Sequence, residues 1–401
     1  MKRYIFSLKT PFIVVTAVCF LAYMYIYPMY HIVQNANILF YNSPIIAEAG
    51  GYQYIAYLKN DGKICVSKLN RNLKPIESYV VHDYGQLIAQ INRRRYLGEA
   101  DDHAAPALIY DAKLDTLLLA TSYHGTDAYI YKFDKTENRF IQIKQLKGYF
   151  TYPRFITYNN NTLLFLREQV GKNRKTGNII MYNSSDDFSQ KELVKESEKD
   201  KIIYASRPFL NHNDVYFSYG YHNYQKKYIE GWYILVYNLE NKSSKVINIS
   251  VHAEGFIENR PTGIAVKDDT IRVGTSYLDQ NAKDDYIKRH PSFELCNTVK
   301  IIDVKKDDKD YKVNKVFEKR VQLPYYGSSV YIDEKLNYVF FDGNKIISNL
   351  SFLNLNFDFD KKMYPYIYQN HLFYVVPTTK NATYQIRNFH TDLRALKIRE
   401  K

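Results

Sequence analysis

The chain has 401 residues, which is enough for one large domain or two ordinary ones with a sizeable buried core. Aromatic residues make up 16% of it, and the 40 tyrosines favour a strand-rich structure. The net charge is +13, but lysines and arginines alternate with acids along most of the chain, which argues against a nucleic-acid partner and favours a polyanion or a negatively charged surface.

The N-terminal segment predicts a membrane anchor. Basic residues lie within residues 1–10, and an uncharged apolar run follows from Pro11 to Tyr27. As a helix, residues 11–30 would span about 30 Å, the thickness of a bilayer core. A cleaved signal peptide is the alternative, but no small-residue cleavage site follows the run. We therefore expect a cytoplasmic basic segment (1–10), a transmembrane signal anchor in contact with lipid (11–30), a linker or closing strand (31–50), and a single-pass protein of the cytoplasmic membrane whose remainder lies outside the cytoplasm.

From Gly51 onward a unit of two apolar strands around a polar turn recurs. Its first strand opens beside a proline at Pro106, Pro153, Pro208 and Pro261, which are 47, 55 and 53 residues apart. Periods of about 40 to 50 residues filled by short strands are typical of propeller blades. A β-sandwich does not naturally give this spacing along the whole chain.

Further copies of the unit complete the count. One lies at Tyr52–Leu58 with Lys63–Leu69, and weaker ones lie at 328–342 and 365–376. The total is seven. The sequence thus predicts an all-β protein, a seven-bladed β-propeller over residues 51–401 preceded by one N-terminal transmembrane helix.

The hairpin predicted over Ala105–Tyr110 and Thr116–Tyr123 brings two histidines to one rim. An antiparallel hairpin returns the chain to the edge it left, so His103 and His124 should meet. They could be a proton-transfer pair, two metal ligands, or polar residues at strand ends.

Propeller geometry extends this argument to the other units. Segments that precede inner strands, and residues that end second strands, gather at one mouth of the central channel. That mouth should concentrate His, Tyr and Arg side chains. The residues placed there are His103, Tyr152, Arg207 and Arg260, which precede inner strands, and His124, Arg167, Tyr221, His222 and Tyr277, which end second strands.

Four segments resemble a known family: 101–108, 122–124, 151–153 and 165–167. They are similar to the BNR-repeat family that contains the seven-bladed ulvan lyases, and the resemblance covers roughly residues 51–277. Those enzymes cleave a uronic-acid polysaccharide by β-elimination. The resemblance implies that the catalytic site contains His103, His124, Tyr152 and Arg167. Phe209 stands where another site tyrosine is expected.

Elimination from a uronate asks for the same residue types. Arg167 offers a bidentate cation for the carboxylate. A neutral histidine, His103 or His124, suits removal of the C5 proton, and Tyr152 suits an acid or a partner base. The choice between the two histidines is open. The residues predicted to bind substrate around this site are Tyr123, Arg207, Tyr221, His222, Arg260 and Tyr277.

Other functions are compatible with the same pattern. The propeller could be a non-catalytic module that binds an acidic polysaccharide or supports assembly, or a protein scaffold. His252, His290 and Cys296 have no standard metal-ligand spacing, so neither a metal nor a cofactor is predicted. The favoured function is a lyase acting on an acidic polysaccharide.

Overall fold

The structure is a computed structural model. It describes residues 29–33, 46–59, 62–87, 106–123, 126–170, 176–223, 228–254, 256–279, 298–307, 310–321, 330–342, 345–350, 363–377 and 391–398. Almost all of the regular structure in these segments is β-strand, so the all-β prediction is confirmed.

The described residues form 27 strands. In chain order they are β1 (Met29–Val33), β2 (Ile46–Ala49), β3 (Tyr52–Leu58), β4 (Lys63–Leu69), β5 (Pro75–Asp83), β6 (Ala107–Asp111), β7 (Thr116–Ser122), β8 (Thr126–Asp134), β9 (Arg139–Tyr158), β10 (Asn161–Val170), β11 (Thr176–Asn183), β12 (Glu192–Lys195), β13 (Lys201–Ala205), β14 (Phe209–Asn211), β15 (Asp214–Asn223), β16 (Tyr228–Asn238), β17 (Ser244–Asn248), β18 (Phe256–Lys267), β19 (Thr270–Asp279), β20 (Thr298–Asp307), β21 (Asp310–Arg320), β22 (Tyr331–Ile332), β23 (Tyr338–Asp342), β24 (Lys345–Ser348), β25 (Met363–Tyr368), β26 (His371–Pro377) and β27 (Thr391–Lys397). Short 3-10 helices lie at Ser184–Asp186 and Ser250–Ala253.

The described strands pair as seven successive antiparallel units. The long strand β9 belongs to two of them, because its first half pairs with β8 and its second half with β10. The units are β2–β5, β6–β8 with the first half of β9, the second half of β9 with β10–β12, β13–β17, β18–β21, β22–β24, and β25–β27 with β1.

Burial within a unit falls from the second strand to the outermost one. Every residue of β7 is buried, whereas the first half of β9, the outermost strand of the same unit, is almost entirely exposed or half-buried. A strand that is apolar on both faces needs a layer on each side. Neighbouring units supply those layers, so the core is a series of apolar clusters between adjacent sheets.

The last unit closes against the first. Gln369, in the turn between β25 and β26, donates to Glu48 at 2.6 Å and accepts from Gln53 at 3.0 Å. Phe373 of β26 belongs to the same apolar cluster as Ile55 of β3. The units therefore form a ring around a central channel. We call the mouth reached by the turns after the inner strands the turn mouth, and the other the strand-start mouth.

The N-terminal membrane helix is the part of the prediction that the structure corrects. Met29 and Tyr30, its expected end, lie in β1 and pair antiparallel with Leu396 and Ala395 of β27. No helix in the described part of the chain is long and apolar enough to span a bilayer. Residues 11–28 of the predicted span lie outside the described residues. The structure therefore does not support the predicted single-pass anchor. The predicted contact with lipid and the localisation in the cytoplasmic membrane were deduced from that anchor and are not supported either.

The N-terminal strands contribute to two different units. β1 is the outer strand beside β27, and β2 is the inner strand beside β3. Both contain residues from the segment predicted as a linker or closing strand. The pair Tyr52–Leu58 and Lys63–Leu69, predicted as the first two strands of a unit, provides its second and third strands.

Acid should weaken this fold through His82. The His82 Nδ1 atom lies 2.5 Å from the Tyr131 hydroxyl, and burial lowers the pKa of His82. Burial raises the pKa of Tyr131 to about 12, so this phenol stays protonated and donates to a neutral ring. The stabilisation is present above the unfolded-state pKa of about 6.5 and is lost as the pH falls below it.

We expect the urea midpoint of the wild-type chain to decrease as the pH is lowered from 7.5 to 5. His82→Gln should make the midpoint depend less on pH. His371, whose pKa burial also lowers, provides a second such variant, His371→Gln. The same pH dependence in the double variant as in the wild type would contradict this account.

Candidate functional site

A hairpin brings Tyr152 and Arg167 together at the strand-start mouth. Residue Arg167 of β10 is in register with Thr151 of β9, next to an irregularity between Phe165 and Arg167. The Arg167 Nε atom donates to the Thr151 hydroxyl at 2.8 Å. Its guanidinium carbon lies 4.5 Å from the centroid of the Tyr152 ring, close enough for a cation–π contact. The structure therefore places two of the four predicted catalytic side chains in direct contact.

The backbone of Tyr152 has an uncommon conformation. Its φ of 56° lies in the left-handed region, which an aromatic residue seldom occupies. Such conformations cost about 1–3 kcal/mol and are concentrated at functional sites. The irregular pairing of β9 with β10 occurs at the same place, so the hairpin departs from regular geometry where Tyr152 meets Arg167.

Arg154 is a further cation that the sequence reasoning missed. It is only 5% exposed, and its Nη1 atom donates to the Pro153 carbonyl at 2.7 Å. Burial, together with the nearby charges of Arg207 and Arg167, lowers its pKa to about 9. A signal was available, because residues two apart on a strand share one face and Arg154 follows Tyr152 at that spacing.

A small cavity of about 40 Å³ lies beside this pair. Its lining comes from β9, β10, β11, β13 and β15. Tyr204 of β13 faces Tyr152 edge-on, with 6.4 Å between ring centroids, and was also missed by the sequence reasoning. The lining residues are Tyr152, Arg154, Phe165, Leu166, Arg167, Ile179, Ile203, Tyr204, Ala205, Ser206 and Phe217.

Arg207 lies deeper in the channel, where the inner strand is interrupted between β13 and β14. Its guanidinium carbon is 4.8 Å from the ring of Tyr366 and 5.5 Å from that of Tyr331. Burial lowers its pKa, and the two phenols partly oppose that effect. Arg154 thus lies in a cluster of guanidinium groups, since the charges of Arg167 and Arg207 both act on it. Such a cluster attracts anions, above all carboxylates that can accept two hydrogen bonds.

The three tyrosines predicted to bind substrate lie elsewhere. Tyr123 is buried against Tyr84, with 5.4 Å between their ring centroids. Tyr221 is buried beside Tyr219, and the hydroxyl of buried Tyr277 donates to a Glu318 carboxylate oxygen at 2.7 Å. None of the three predicted residues lines the cavity at Tyr152.

His222 and Arg260 are half-buried strand residues. His222 of β15 pairs with Ile202 and Ile229, and Arg260 of β18 pairs with Ser276. Neither lines the cavity at Tyr152. Their role in substrate binding stays a prediction.

The two predicted histidines, His103 and His124, lie outside the described residues. The hairpin expected between them is present as β6 and β7, in which Ala107 pairs with Ala120. Across the described segments, no three His, Cys, Asp or Glu side chains are grouped so that they could hold a metal ion.

Part of the chain matches a known family in sequence. Residues 52–251 match the profile described as "BNR repeat-containing family member". These residues belong to the BNR-repeat family. No curated protein sequence matches the chain.

Solved structures extend the likeness to the whole propeller. A polysaccharide lyase, an ulvan lyase bound to -[GlcA(1-4)Rha3S]-, is similar with a TM-score of 0.56 and 11% identity over 91% of this chain and 86% of that one. A hypothetical selenium-binding protein from Sulfolobus tokodaii is similar with a TM-score of 0.54 and 11% identity over 90% and 93%. At such identities the likeness shows the fold alone: the BNR-repeat chain is a β-propeller.

Proposed function

We propose that this BNR-repeat propeller is a polysaccharide lyase that cleaves a uronic-acid glycan by β-elimination. The observation that carries the proposal is the contact between Arg167 and Tyr152, 4.5 Å from guanidinium carbon to ring centroid, in a hairpin with irregular geometry. A cation for a carboxylate and a phenol for proton transfer are side by side there. The glucuronate in the ligand of the similar ulvan lyase supports the substrate class.

The chemistry assigns a role to each group. A base takes the C5 proton of the uronate, the C5–H electron pair forms the C4–C5 double bond, and the C4–O4 bond breaks with its electrons on the leaving oxygen. Charge accumulates on the carboxylate as the proton leaves, so a fixed cation lowers the barrier. Arg167 supplies that cation, and Arg154 adds positive potential behind it.

Tyr152 acts as the acid that protonates the leaving O4, or as a partner base. Positioned acids and bases typically contribute about 10²–10⁴-fold in rate. His103 and His124 remain the candidates for the base that removes the C5 proton. The choice between them is the one that the sequence left open.

A second candidate function is non-catalytic binding of an acidic glycan. It is favoured by the size of the cavity at Tyr152, about 40 Å³, which is far below the roughly 300–1,000 Å³ of typical small-molecule sites. The contact of Arg167 with Thr151 also holds the guanidinium in place without substrate. Under this function Arg167 and Arg154 bind carboxylates and no bond is cleaved.

Product analysis separates the two functions. The whole chain is incubated with ulvan, polygalacturonate, alginate and heparosan, with neutral dextran as the control. The lyase predicts near-ultraviolet absorbance from an unsaturated uronate, rising together with new reducing ends on at least one acidic polymer. Binding without products favours the second candidate. New reducing ends without the absorbance would mean hydrolysis and would contradict elimination.

A further inference from the structure

A second and much larger cavity, of about 850 Å³, occupies the channel beyond Arg207. Its rim includes the turn between β22 and β23 and the turn between β25 and β26. Both turns follow inner strands, so the cavity opens at the turn mouth. It shares no lining residue with the cavity at Tyr152.

The inner end of this cavity carries positive charge. Arg207 lies there between the rings of Tyr366 and Tyr331. Burial raises the pKa of Tyr366 to about 12 and raises that of Tyr331 as well, so both phenols are neutral at physiological pH. An arginine side chain keeps its proton in proteins. The charge contributed by these three groups is therefore that of one guanidinium.

The remaining lining combines apolar walls with a polar rim. Phe209, Ile264 and Ile332 form part of the wall, and Asn370 and Gln369 stand in an exposed turn at the rim. The other turn at the rim carries Asp333, Glu334 and Lys335, and the Asp333 carboxylate accepts hydrogen bonds from the backbone N–H groups of Lys335 and Asn337. Small-molecule sites are typically 300–1,000 Å³ in volume and are largely apolar with a few placed polar groups. This cavity has that size, with apolar residues in its wall and a rim that is more polar than is typical.

We propose that the turn-mouth cavity binds a short uronic-acid sugar at a site separate from the one at Tyr152. Tyrosine rings offer flat faces to the C–H faces of a sugar ring, and the Arg207 guanidinium matches a carboxylate. The acidic glycan is thus held at two places on the propeller, one at each mouth. The inference goes beyond the proposed function, since binding at this site needs no reaction.

Binding of free glucuronate tests the proposal. This monosaccharide carries no glycosidic bond at O4, so the lyase reaction cannot consume it. Saturation-transfer NMR and calorimetric titration of the whole chain should detect binding, with glucose as the uncharged control. We expect Arg207→Gln to weaken the binding at least tenfold and Arg167→Gln to leave a clear glucuronate signal.

Asn370→Trp provides a second variant that does not disturb the buried core. A bulky ring at this exposed turn should narrow the entrance and weaken glucuronate binding, while thermal melting shows whether each variant folds. Wild-type affinity in both Arg207→Gln and Asn370→Trp would overturn the proposal, as would complete loss of binding in Arg167→Gln. If the wild-type chain forms no lyase products but binds glucuronate through Arg207, only the proposed function is refuted.

Discussion

Replacing Arg167 with glutamine is expected to lower kcat/KM on a uronate polymer by about 10²–10³-fold, the usual loss when a preorganised charge-stabilising group is removed. Glutamine cannot neutralise the carboxylate as the C5 proton leaves. The kcat/KM of Arg167→Lys should lie between those of the wild type and Arg167→Gln, because an ammonium keeps the charge but loses the planar fork. Initial rates of near-ultraviolet absorbance measure the effect.

Arg272 supplies a matched control. It is also a half-buried arginine on a second strand, and its guanidinium pairs with Asp303 at 2.7 Å, away from the channel site. Arg272→Gln should lower the melting temperature and leave the rate per folded molecule unchanged. Equal loss of rate in both variants would mean that Arg167 has only a structural role.

Removal of β1 should cause the largest loss of stability. Four residues of β1 pair with β27, and Ala395 and Leu396 of β27 are almost fully buried. At about 1 kcal/mol for each backbone hydrogen bond, a strand with four paired residues contributes on the order of 4 kcal/mol. The uncovered edge of β27 would also be open to pairing with other chains.

The measurement compares a chain that lacks residues 1–33 with one that lacks residues 1–28. The difference in urea midpoint between the two reports β1 alone, and light scattering reports aggregation through the exposed edge. Identical midpoints and no scattering in either chain would show that β1 does not contribute to the stability of the ring.

The strand-and-turn pattern was predictable because it is local. The proline spacing and the alternation of apolar runs with turns identified hairpins such as the one formed by β9 and β10. The pairing of β1 with β27 was not predictable, since it joins residues at least 360 positions apart and leaves no local signal. The N-terminal segment was predicted as a membrane helix because its uncharged apolar run satisfies the sequence criterion for one.

The candidate site was predictable only in part, for a similar reason. A hairpin places the start of one strand beside the end of the next, which identified Tyr152 and Arg167. The same reasoning cannot tell which end residues face the channel, so Tyr123 was predicted to bind substrate although it is buried in the core. Tyr331 and Tyr366 reach Arg207 from other units, and single tyrosines carry no signal in a chain with 40 of them.

The kinetic split produced by Tyr152→Phe tests the central claim most directly. This change removes one hydroxyl and keeps the ring on which Arg167 stacks. The lyase account predicts that turnover of a uronate polymer falls by at least about 10²-fold while the melting temperature and the affinity for the polymer stay at wild-type values. Wild-type turnover in Tyr152→Phe would contradict the account.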